Sequence, residues 1–214
     1  MALVKGTNWG FVTVAPIADP DELATRIDGN VWAIRDVSPG MAIRITEIGI
    51  WIDNPTQATD MEAAIYLDNG DYPDTIVGSK YLFTKGTTAG WKSVVTDIPL
   101  SASTTYWIAI QVDSTSFTAT NTDFLNLGGT KLVVKDATQT ELVSPFPEGG
   151  YEYPDFKAAI YAVWEEAPVG TNMKINISDV WKDIDSLKIN IGDAWKNVIK
   201  IQQNIGDVWK TVFD

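Results

Sequence analysis

Paired carboxylates are the catalytic apparatus that this composition leaves open. The chain has no His and no Cys. That removes the usual general base, the thiolate nucleophile, the disulfide framework and the ordinary zinc site. A glycosidase needs two carboxyl groups roughly 5–9.5 Å apart across a cleft. Asp68, Asp71 and Asp74 form one candidate cluster, and Glu148, Glu152 and Asp155 the other. Each sits among turn formers, Asn69-Gly70 and Pro73 in the first case, Gly149-Gly150 and Pro154 in the second. Asp, Asn, Gly and Pro are the residues that turns select, so these clusters read as turns. No catalytic residue and no cofactor is expected. Asp68 and Asp71 come nearest to a metal site, because Ca²⁺ takes carboxylate oxygens, but their spacing does not match the EF-hand loop.

Aromatic side chains offer a second kind of chemistry. Tyr72, Phe146, Tyr151 and Tyr153 fall in expected loops, where recognition usually sits. Their rings could stack on the apolar face of a sugar, or pack the sandwich edge or a neighbouring subunit. Trp51, Trp107 and Trp164 lie in apolar runs and read as core.

The elements that must position these residues are strands. Met41 to Ile52 alternates with period two for most of its length, and Tyr106 to Val112 is aromatic and β-branched. Further strands are expected at 9–14, 31–37, 62–67, 76–83, 92–98, 131–135 and 156–164. Turn chemistry separates them, as at Ser38-Pro39-Gly40, Asp53-Asn54-Pro55, Asp68-Asn69-Gly70-Asp71, Gly128-Gly129 and Glu148-Gly149-Gly150. Only Asp19 to Ile27 looks helical, for two turns at most. Many short strands with regular turns predict an all-β, jelly-roll-like sandwich of eight to ten strands over residues 1–166. A linker with Pro168 and Gly170 follows at 167–173.

Residues 174–214 hold an internal repeat. Asn176-Ile177-Ser178-Asp179-Val180-Trp181-Lys182 recurs as Asn190-Ile191-Gly192-Asp193-Ala194-Trp195-Lys196 and as Asn204-Ile205-Gly206-Asp207-Val208-Trp209-Lys210. The period is 14 residues. Gly-Asp between β-rich segments suits a two-residue hairpin turn. Ile191 then faces Ala194 and Asn190 faces Trp195, with Ile and Trp on opposite faces. A lone hairpin cannot bury both faces. The tail is therefore expected to assemble copies of the chain, a homotrimer best, through Ile177, Trp181, Ile191, Trp195, Ile205 and Trp209.

The stretches Ile45-Thr46-Glu47-Ile48-Gly49, Ala64-Ile65-Tyr66, Gly90-Trp91-Lys92 and Leu100 to Ala109 resemble a jelly-roll module of extracellular and viral proteins, often sugar-binding-like. The Gly-Asp-x-Trp-Lys repeats resemble those at the C-termini of tailed-phage fibre and minor structural proteins. The resemblance implies a non-enzymatic virion protein, a capsid decoration, fibre or tail-associated component, with other virion proteins and a host surface glycan as partners. The alternative is a carbohydrate-binding module.

Charge and hydropathy narrow the partners. Net charge is −12, and no Lys/Arg cluster of the kind a nucleic-acid groove needs occurs. From Thr171 onward six Lys balance six Asp, so the whole negative excess lies before the tail. No apolar run approaches the ~20 residues of a membrane span. The first residues lack the apolar core of a signal peptide; release by lysis inside a virus particle is one route out of a cell without one, and the virion location is what the resemblance implies.

Overall fold

A computed structural model describes residues 3–20, 23–53, 58–70, 72–113, 121–135 and 140–167. In the tail it describes 174–177, 180–183, 188–191, 194–197, 201–205 and 208–213. The chain divides into two compact units, Met1–Ala167 and Pro168–Asp214. Asp71, most of the linker and the three repeat turns lie outside the described residues.

The first unit is a β-sandwich. Its strands are β1 (Gly10–Val12), β2 (Leu23–Arg26), β3 (Val31–Val37), β4 (Ile43–Ile52), β5 (Asp60–Asp68), β6 (Pro73–Thr84), β7 (Gly90–Leu100), β8 (Thr105–Val112), β9 (Asn121–Lys135), β10 (Tyr151–Ala158) and β11 (Ile160–Glu166). The smaller sheet runs β1-β11-β4-β7. The larger runs β10-β9-β3-β8-β5-β6, with β2 also pairing β9. The pairs β5/β6, β4/β7 and β3/β8 are nested hairpins, and successive pairs alternate between the two sheets. β1/β11 forms the outermost pair. This wrapping of a nested ribbon onto two sheets is the jelly-roll pattern, here with a parallel outermost pair. β9, β10 and β2 extend the larger sheet beyond it.

The main core lies between the sheets. Ile43, Ile45, Ile48, Ile50 and Ile52 of β4 meet Trp32 and Ile34 of β3, Ile65 of β5 and Ile108 and Ile110 of β8. One pin holds β1 against this body. Asp36 accepts hydrogen bonds from the Phe11 and Val37 amides and pairs with Lys5. Gly10 is required there: its φ is +73°, and a Cβ would stand 2.3 Å from Asp36 Oδ2.

Four expectations are corrected. The described residues of Asp19–Ile27 hold no helix: Leu23–Arg26 is β2, paired with β9 from Leu23↔Phe124 to Arg26↔Asn121. Two turns of helix are marginal alone, and the edge of β9 offers the backbone groups on one side of this segment a ladder of partners. The single strand expected at 156–164 is two strands in different sheets, broken at Ala159, whose carbonyl accepts from the Trp51 amide. Gly128-Gly129 lies inside β9, at the register break opposite Pro154/Phe156. The sandwich has eleven described strands rather than eight to ten.

The second unit consists of three separate antiparallel hairpins: β12 (Lys174–Ile177) with β13 (Val180–Asp183), β14 (Lys188–Ile191) with β15 (Ala194–Asn197), and β16 (Ile201–Ile205) with β17 (Val208–Phe213). Ile191 pairs Ala194 and Asn190 pairs Trp195, and the other two repeats use the same register. Among the described residues no helix is long and apolar enough to cross a membrane.

Candidate functional site

The outer face of the larger sheet carries a groove. Ala33 on β3 pairs Ala109 on β8, which pairs Ala64 on β5. Alternation puts all three on the side away from the main core, and three small side chains in a row leave a trough across the strands. Trp107 and Tyr66, paired in the neighbouring row, wall it on one side. The groove is filled from within the chain. The segment 141–150 crosses it, with Leu142 and Phe146 buried among Val31, Ala33, Ala64, Tyr66, Trp107, Ala109 and Val133.

Hydrogen bonds fasten this strap along its length. Tyr66 donates to the Val143 carbonyl at 2.8 Å, and Tyr72 to the Pro147 carbonyl at 3.0 Å. The Leu142 amide donates to Glu62 at 2.6 Å, the Phe146 amide to the Asp74 carbonyl at 2.7 Å. Lys80 bridges Glu62 and Glu141; burial acts to lower the pKa of its ammonium, but the hydrogen bonds and charges of these two carboxylates together outweigh it and hold that pKa above the ordinary lysine range. Burial, and then the charge of Glu62, push the Tyr66 phenol up. Phe146 meets both Tyr66 and Tyr72 edge to face, at 5.3 and 5.6 Å between centroids. Of the four expected sugar-stacking residues, Phe146 is therefore buried in the groove and Tyr72 is partly buried against it. Phe146 is 3 % exposed.

Asp68 is also committed. Arg35 Nε and Nη2 each reach one of its carboxylate oxygens at 2.9 Å, and Trp107 Nε1 donates to Oδ1 at 2.7 Å. Its oxygens are engaged by the side chains of Arg35 and Trp107; Asp71, the other residue of the nearest calcium candidate, lies outside the described residues. No group of three acidic side chains that could hold a metal occurs among the described residues. Of the second acidic cluster, Glu152 pairs Lys131 at 2.7 Å, Glu148 is on the exposed strap and Asp155 is in β10.

Tyr151 and Tyr153 lie in β10, not in a loop. Tyr151 pairs Val134 and Tyr153 pairs Leu132, both members of the inter-sheet core. The two tyrosines thus continue the inward side of the larger sheet onto its edge strand. There they are 59 % and 37 % exposed. Tyr153 meets Phe156 edge to face at 5.3 Å. Pro154 and the register break beside it blunt this edge against further strand pairing.

A third cluster occupies the outer face of the smaller sheet. Trp51, Trp91 and Tyr161 meet edge to face in sequence. The Tyr161 hydroxyl bonds Glu47, and burial followed by that carboxylate raises its phenol well above the usual range. Trp91 Nε1 donates to the Ala18 carbonyl at 2.9 Å.

In the tail, Ile177, Ile191 and Ile205 close the three hairpins, and Trp181, Trp195 and Trp209 stand one pair further from each turn, always opposite Asn. The alanine groove and its strap were missed at the sequence level. Their signal was Tyr106–Val112, apolar on both faces, which calls for cover on both sides. No family model, curated protein or solved structure matches the chain.

Proposed function

We propose that this is a non-enzymatic structural protein of a tailed-phage particle, its jelly roll docked on or displayed from the virion and its tail joining copies of the chain into a trimer. The observation that carries the reading is the triple hairpin. Three units with one register and one Asn–Trp pair each repeat one pairing pattern, and a lone two-stranded sheet is marginal in water. Capsid decoration, fibre and tail-associated positions are all consistent with it. Light scattering tests the assembly, on the full chain and on the combined Trp181→Ala, Trp195→Ala and Trp209→Ala variant. A trimer that becomes a monomer is expected, since an interface Trp contributes about 2–4 kcal/mol. A monomeric wild-type chain, or unchanged mass in the variant, sinks the reading.

The exposed Tyr151/Tyr153 pair favours a second reading, in which the sandwich attaches the particle to a host glycan. Binding on a glycan array that vanishes with Tyr151→Ala and Tyr153→Ala supports it; an unreactive wild-type protein removes it. Turnover of polysaccharide that is lost with Asp71→Asn or Glu152→Gln would overturn the non-enzymatic assignment.

A further inference from the structure

Among the described residues, each tail hairpin leaves both of its strand edges unpaired. The three are separate two-stranded sheets, with no backbone pairing from one to the next among the described residues. Two residues separate Ile177 from Val180, Ile191 from Ala194 and Ile205 from Val208, the pairs that close the hairpins. A two-residue hairpin closes on a hydrogen-bonded pair, and such pairs alternate with non-hydrogen-bonded ones. The next pair outward is Asn176↔Trp181, Asn190↔Trp195 or Asn204↔Trp209. Its backbone N–H and C=O groups therefore point away from the hairpin, toward the two edges. One more step of the alternation gives Lys174↔Asp183, Lys188↔Asn197 and Gln202↔Thr211 the same outward direction. Three equal sets of outward-facing edge groups thus recur at the 14-residue period.

We infer that a second and a third copy of this chain take these edges. At each of the three levels, one hairpin from each copy closes into a six-stranded antiparallel ring. The inference rests on the assembly reading above and adds the contact that makes it.

The geometry needs nothing beyond rotation. Turning a hairpin about an axis that runs along its strands keeps one strand up and the other down. The second strand of one copy then meets the first strand of the next antiparallel, the better of the two pairing modes. Such a head-to-tail contact closes under a threefold axis, and closure abolishes the edges that would otherwise template aggregation. The partner surface must be repeated three times at the same spacing, and the chain itself carries that repeat. Equal numbers of Lys and Asp beyond Thr171 let the copies approach without the repulsion that the acidic first unit would impose. That repulsion is only partly screened at a Debye length of about 8 Å.

Proline separates edge contacts from hairpin contacts. At Asn176, Asn190 and Asn204 it deletes an outward N–H and leaves the hairpin's own hydrogen bonds in place. The full chain carrying Asn176→Pro, Asn190→Pro and Asn204→Pro is expected to lose the trimer by light scattering. The same positions changed to Thr, which keeps the N–H, are expected to retain it. A proline variant that stays trimeric with an unshifted dissociation midpoint overturns the inference. Hydrogen exchange on the unmutated chain provides a reading free of folding defects. In the trimer, the amides of Asn176, Asn190 and Asn204 are expected to exchange about a hundred-fold or more slowly than unprotected amides. A trimer in which these three exchange freely defeats the edge contact while leaving assembly intact. A wild-type chain that is monomeric defeats both.

Discussion

Asp68 shows how a residue that looks reactive becomes structural. Its carboxylate is held in a two-pronged pair by Arg35 and takes a third hydrogen bond from Trp107. Asp68→Asn keeps the shape but cannot pair both guanidinium nitrogens, and leaves Arg35 partly buried without its counter-charge. A loss of about 2–3 kcal/mol is expected in urea unfolding, within the range for charged hydrogen bonds at partly buried sites. Tyr66 and Tyr161 make a second residue-scale prediction. Both phenols are raised above their unfolded value of about 10, Tyr66 by burial and then Glu62, Tyr161 by burial and then Glu47. A raised acid binds its proton more tightly in the folded state. The stability this contributes is fully present below pH 10 and is lost as pH climbs toward the folded values. The urea midpoint is therefore expected to hold up to about pH 10 and to fall as pH rises from there toward about 12. Tyr161→Phe should flatten part of that fall. A midpoint independent of pH over this range would contradict it. Gly49 depends on the same ring, since a Cβ there would stand 2.6 Å from Tyr161.

Elements in this molecule are decided by what covers them. β8 is apolar on both faces because the inter-sheet core lies on one side and the strap on the other. β10 is exposed over its first four residues, 151 to 154, because it extends the sheet past the jelly roll. At the end of β6, Lys85 enters the interior and pairs with Asp28 at 3.1 Å, neither side chain exposed. Such a pair ties the loop after β6 to the loop before β3, at a desolvation cost comparable to its attraction. Lys85→Met removes the ammonium beside a buried carboxylate and is expected to lose about 3–5 kcal/mol. Adding Asp28→Leu to that variant should recover part of the loss. If the double variant is the less stable of the two, the pair is a net stabiliser and its burial has been offset elsewhere.

At the scale of the whole molecule, the two units differ in how they reach stability. The sandwich has a complete inter-sheet core and a second core beneath the strap. The tail has three hairpins of four to six residues per strand, too little for independent order. A chain ending at Ala167 is thus expected to unfold in one cooperative thermal transition, seen by both calorimetry and circular dichroism. If the truncated chain shows no transition, the tail completes the sandwich and the division of labour proposed above fails.

The sequence by itself determined the all-β class, the positions of most strands and the register of the three hairpins. These follow from short-range rules: period-two alternation, turn residues between runs, and a 14-residue repeat that leaves one pairing for each Gly-Asp or Ser-Asp turn. Ile43 to Ile52 and Tyr106 to Val112 were legible for that reason. Tertiary structure decided what depends on distant partners. Leu23–Arg26 is a strand because β9 offers it an edge. Residues 156–164 divide between two sheets because the chain must cross the sandwich at Ala159. Phe146 is buried and Tyr72 partly buried, and Tyr151 and Tyr153 exposed, according to where the strap lies and how far the larger sheet overhangs. Asp68 became an ion-pair partner because Arg35, 33 residues earlier in the chain, sits on the same face of the sheet. Turn chemistry reads only the neighbours of a residue, whereas burial and pairing are set by strands far away in sequence.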